Sequence, residues 1–150
     1  MRWFGLACFL ILLLMAWRKG DMKNYAIAFS LGCALGFAID GVGIPLGLWE
    51  FPRQPFLSLE YFLVVVPCWG VFGATINMIK DWYIKSSIVG LILLTIAMRT
   101  IYEVPNLMTG SWVYTTSSLL VNLGWIPLII AYRLSFLLTN RRLVGMRRRI

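Results

Sequence analysis

Asp40 and Glu103 are acids set just inside long apolar runs, and each opens the same short pattern. Asp40 is followed by Gly47 at +7, Trp49 at +9 and Phe51 at +11; Glu103 is followed by Gly110, Trp112 and Tyr114 at the same spacings. An ionisable side chain inside an apolar run is costly and marks either a functional site or a compensated internal pair. A carboxyl in an apolar setting is more easily held neutral, and a neutral acid can donate or relay a proton. The acid/base candidates are therefore Asp40, Glu103 and Glu60, which stands near the start of the next apolar run. Arg99, four residues before Glu103, can keep one acid ionised and leave another free to act. Tyr61, Tyr102, Trp49 and Trp112 supply rings that can hold an apolar ligand or steady a cation. Asn122, with Thr115 and Ser118, adds a polar helical face.

The remaining composition excludes much other chemistry. The chain has no histidine, and Cys8, Cys33 and Cys68 are isolated within apolar runs. That pattern argues against zinc, His-ligated haem and a dithiol centre, so neither a metal nor a cofactor is expected. Of the 150 residues, 60% are hydrophobic and 13% charged, against roughly a quarter charged in soluble domains. A soluble fold of this length has too little interior for that apolar surface, so the expected class is all-α, a polytopic membrane protein. The net charge of +8 lies mostly in loops and tail, with no polar domain to carry nucleic-acid binding.

Five apolar runs set the expected elements, at about 3–17, 24–48, 57–79, 86–104 and 112–138, before a basic tail at 139–150. The first resembles a signal-peptide core, but Arg18-Lys19 follows it rather than precedes it, so a retained helix is expected. In the second, Gly32, Gly36, Asp40, Gly43 and Gly47 step by 4, 4, 3 and 4 and share one face. Such small-residue spacing lets helix backbones approach closely, within the subunit or in an oligomer, and turns Asp40 into the bundle. Pro45 is expected to end or kink this helix. With the tail inside, ten basic residues (Arg18, Lys19, Lys23, Lys80, Lys85 and five tail arginines) fall on that side. Only Arg2 and Arg53 fall outside, which predicts N-out, C-in. Trp3, Trp49 and Trp112 then suit the outer interface, Trp17 and Trp82 the inner one, and the tail arginines suit anionic head groups. The two acid–Gly–Trp copies suggest a parallel pseudo-repeat of helices two–three and four–five.

Asp40…Gly47-Leu48-Trp49-Glu50-Phe51, followed by Leu57-Ser58-Leu59-Glu60-Tyr61 and the apolar run to Pro67, resembles the core of the small membrane lycopene cyclase domain. Ser58 stands where that family has Pro, and Tyr61 where it has a second Glu. Glu103-Val104-Pro105…Gly110-Ser111-Trp112-Val113-Tyr114 resembles an element of the related membrane carotenoid hydratases. A longer stretch of the chain is similar to small multispanning proteins of spore-forming bacteria. It is carried by Trp17-Arg18-Lys19-Gly20-Asp21, Leu48-Trp49-Glu50-Phe51 and Glu103 to Tyr114. The first resemblance implies acid chemistry on an isoprenoid or other long lipid; the last implies no activity.

Three readings follow. In one, the acids act on a long lipid in a pocket in the outer half of the bundle. In the second, they bind a ligand or proton in a non-enzymatic binding, transport-accessory or subunit protein. In the third, the acids, arginine and asparagine are only internal glue.

Overall fold

In the computed structural model the described residues are 2–84, 90, 93, 96–97, 100, 107–108, 110–115 and 127–140. They are mostly helical: α1 (Arg2–Arg18), α2 (Met22–Gly43), α3 (Val66–Ile79) and a helix at 127–140, here α4. A π-helical turn extends α3 at each end, over Tyr61–Val65 and Lys80–Ile84. Met22–Gly43 and Tyr61–Tyr83 are each long and apolar enough to cross a membrane, and Ala7–Arg18 is a shorter apolar helix. Residues 90, 93, 96–97 and 100, within the expected fourth helix, are helical; the rest of it lies outside the described residues.

α2 packs chiefly on α3, and glycines on both helices set how close they come. A Cβ on Gly32 would stand 2.6 Å from the Trp69 carbonyl oxygen, and one on Gly73 would stand 2.7 Å from the Gly32 Cα. Of the glycine stripe expected on α2, Gly32, Gly36, Asp40 and Gly43 are buried, Gly32 and Gly36 against α3 and Gly43 against Trp49, while Gly47 is exposed in the turn beyond the helix. Against this pair, α4 adds Tyr132, whose hydroxyl donates to the Gly32 carbonyl at 3.1 Å. Its ring lies 5.8 Å from that of Phe72. At the end of α3, Arg133 of α4 bonds Asp81 at 2.5 Å and reaches Asn77 at 3.4 Å, so this arginine is tied to α3.

Three element boundaries differ from expectation. α2 ends at Gly43 instead of continuing to Leu48, because the chain reverses through Ile44-Pro45-Leu46-Gly47, with Gly47 at φ +63°. The third helix extends past Ile79: the supposed link at Lys80–Ile84 continues it as a π-helical turn. Trp112 does not begin a fifth helix. Val113–Tyr114 (β2) instead pairs antiparallel with Trp49–Glu50 (β1), in register Trp49 with Tyr114 and Glu50 with Val113.

This ribbon joins the two copies of the acid–Gly–Trp pattern, and it does so symmetrically. Counted from Asp40 and Glu103, Glu50 and Val113 are both position +10 and face each other, while Trp49 (+9) faces Tyr114 (+11). Phe51 (+11) and Trp112 (+9) complete the exchange, with ring centroids 5.7 Å apart. The +7 glycines match as well. Gly47 and Gly110 have φ of +63° and +62°, and each donates its N–H three residues back, to Ile44 and to Leu107. Glycine adopts this left-handed conformation without the Cβ clash other residues meet, so each copy needs it to leave its helix and enter the ribbon.

Candidate functional site

Asp40 is fully buried, near the C-terminal end of α2, and three side-chain donors converge on its carboxylate. The Trp49 indole Nε1–H donates to Oδ1 at 3.0 Å. The Tyr61 hydroxyl and the Trp69 Nε1–H both donate to Oδ2, each at 2.7 Å. The donors come from three places: β1, the π-helical turn before α3, and α3 itself. One acid thus ties the end of α2 to β1, the π-helical turn and α3.

The glycines explain how two indoles fit. A Cβ on Gly36 would stand 2.1 Å from the Trp69 Cγ, and one on Gly43 would stand 2.2 Å from the Trp49 ring. The residues one turn before and one turn after Asp40 are therefore vacant seats into which the two donors lie. Tyr61 is placed by the start of its helix. The Ser58 hydroxyl accepts the Tyr61 backbone N–H at 3.1 Å, as a helix N-cap does. This gives a structural role to the serine that distinguishes the chain from the cyclase pattern.

Around the Tyr61 ring stand four phenylalanines: Phe56 at 5.1 Å, Phe62 at 5.6 Å, Phe51 at 6.1 Å and Phe37 at 6.4 Å between centroids. Phe37 also stacks on Phe56 at 5.9 Å and touches Phe62 at 5.8 Å. Phe37 and Phe62 are 37% and 44% exposed, so this aromatic wall reaches the surface of the helices. Trp112 closes the opposite side, buried, with its ring 6.3 Å from Trp69. It sits inside the cluster, unlike an interface anchor, whose ring would face outward.

Of the expected site residues, the fold brings together Asp40, Tyr61, Trp49 and Trp112. Glu60 precedes Tyr61 directly but is exposed and is not among the groups bonded to Asp40. Arg99, Tyr102, Glu103 and Asn122 lie outside the described residues. Trp69, Phe37, Phe56 and Phe62 are not among the residues expected at the site, and Phe51 is expected only as the +11 member of the repeat. The signal for Trp69 was its place deep in an apolar run, where its N–H, away from any interface, must find a partner.

The arrangement limits the chemistry. A carboxylate offers about four acceptor positions, and three are taken by donors already in place. An acid that protonates a substrate must turn its O–H toward that substrate, whereas Asp40 has no exposed surface and faces donors only. In this state Asp40 is an acceptor that orients two indoles and a phenol. Compared with protein-family models, curated proteins and solved structures, the chain finds no match.

Proposed function

We propose that this chain is a multi-pass protein of the cell membrane that binds a long apolar lipid, of the isoprenoid kind, on the aromatic wall above Asp40. The observation that carries this reading is the Tyr61 environment. Its hydroxyl is held by a buried carboxylate, and its ring lies under phenylalanines that reach the lipid-facing surface. A rigid aromatic wall gives apolar contact area at low entropic cost, and the fully buried Tyr61, anchored by Asp40, fixes that wall from beneath. In this reading the bundle has five spans, N-out and C-in, and the site lies in the outer half. Helices two–three and four–five are a parallel pseudo-repeat, which the symmetric ribbon supports. Glu103 is then the counterpart of Asp40, with Arg99, Tyr102 and Asn122 completing the second half.

The closed donor set favours binding over proton donation. The same observation supports a second reading, in which Asp40 is purely a clasp. Mass spectrometry of lipids that copurify with the detergent-solubilised protein tests the proposal. A bound isoprenoid or comparably long apolar lipid in stoichiometric amount is expected; bulk phospholipid alone would contradict it.

A further inference from the structure

At the far end of α2 from Asp40 a second acid accepts an indole. The Trp82 Nε1–H donates to Asp21 Oδ2 at 2.8 Å, and the Asn24 amide donates to Asp21 Oδ1 at 2.7 Å. This pins the π-helical turn after α3 to the start of α2, so both apolar spans end at one corner. The turn holds the Lys19 ammonium over two rings, 5.5 Å from the Trp82 centroid and 4.9 Å from the Tyr83 centroid.

Among the described residues, that ammonium forms no salt bridge. Rings attract a cation but do not neutralise it. Of the two nearby acids, Asp81 is paired with Arg133, while Asp21 accepts from the neutral Asn24 and Trp82 groups and keeps its negative charge. Among the described residues, none of Arg18, Lys19 and Lys23 has a carboxylate within salt-bridge distance, and all three are exposed. Trp17 and Tyr83, 73% and 59% exposed, flank them with the amphipathic rings that suit a membrane–water boundary. Three exposed cations against the one charge of Asp21, with Lys19 held in place, leave a net positive corner where two apolar spans end, and that complements a phosphate on a membrane surface.

We propose that this corner binds the phosphate of an anionic glycerophospholipid of the adjacent leaflet, with Lys19 as its fixed contact and Arg18 and Lys23 beside it. The site is distinct from the basic tail and from the Asp40 cluster, and it rests on the membrane-spanning reading. The test is native mass spectrometry of the full chain extracted from vesicles of equal parts phosphatidylglycerol and phosphatidylcholine. Wild type and Lys19→Gln are compared, with Arg53→Gln as the control at the other end of the molecule. Lys19→Gln leaves Asp21 and Trp82 in place and removes the charge with a side chain one methylene shorter, and an unchanged elution profile checks its fold.

The expected result is preferential retention of phosphatidylglycerol by wild type. The preference falls about fivefold in Lys19→Gln, from the usual worth of one basic residue at an anionic surface, and is unchanged in Arg53→Gln. Equal retention of the two lipids, or an equal loss in both variants, overturns the proposal. So does displacement of the lipid by excess inorganic phosphate, which would make free phosphate the ligand. With a long isoprenoid alcohol included in the same vesicles, phospholipids and isoprenoid separate by mass, so loss of one class with retention of the other tells which of the two readings has failed.

Discussion

Asp40 shows how a single costly residue is made tolerable. An unpaired buried acid is among the most expensive groups a protein can carry, and here it is offset by three neutral donors instead of a counter-charge. The cost of removing one donor follows from hydrogen bonds in apolar surroundings, which contribute about 1 kcal/mol each. Trp69→Phe keeps most of the ring volume on Gly36 and deletes only the bond to Oδ2. It is expected to lower stability in detergent by about 1–2 kcal/mol, measured as a reduced melting temperature. An unchanged melt would mean that Trp69 and Asp40 are not bonded in the folded protein. That Asp40 turns inward was legible from its spacing among glycines. That indoles would meet it was not, because nothing local in the sequence links residue 40 to residue 69.

At the scale of elements, the glycine stripe was readable because a helix converts steps of 3 and 4 into one face. What it faces was not. Gly36 and Gly43 look alike in sequence, yet one seats Trp69 and the other Trp49. Gly36→Ala is expected to destabilise by about 1–3 kcal/mol, since its Cβ would meet the base of the Trp69 side chain, which cannot swing away. Gly41→Ala is the control. It is exposed, its Cβ would be at an ordinary 3.7 Å from Phe56, and alanine favours helix, so a neutral or stabilising change is expected. Thermal melts of the two variants check the pair. If Gly41→Ala were as damaging as Gly36→Ala, the packing against Trp69 would not be the cause. The ribbon was illegible for another reason. Strands of two residues carry no periodicity, and β1 meets β2 across more than sixty residues of chain. The matched glycines did not announce it either, since their left-handed φ, which the reversal from helix into ribbon requires, is seen only in the structure.

At the scale of the molecule, composition indicated a helical, membrane-embedded chain, and two helices have the length and apolarity to cross a bilayer. Charge placement carries the orientation, and cysteine labelling checks it in a variant without native cysteines. Arg53→Cys is expected to react with an impermeant reagent added outside intact cells and Lys23→Cys only after lysis; the reverse would put the Asp40 end in the cytoplasm. The two ends of α2 then divide the work. At one, Asp21 and Trp82 pin a cationic corner; at the other, Asp40 organises the aromatic wall that we propose holds a long lipid. The most direct test of that second role compares lipids retained by wild type and by Tyr61→Phe. The variant keeps the ring among its phenylalanines and Asp40's bonds to both indoles, and removes only the hydroxyl. The account predicts that stability falls by about 1 kcal/mol, as for loss of the Trp69 donor, while the long apolar lipid is lost by about tenfold. A retained lipid with a lowered melting temperature would contradict it and leave Asp40 and Tyr61 as a clasp alone.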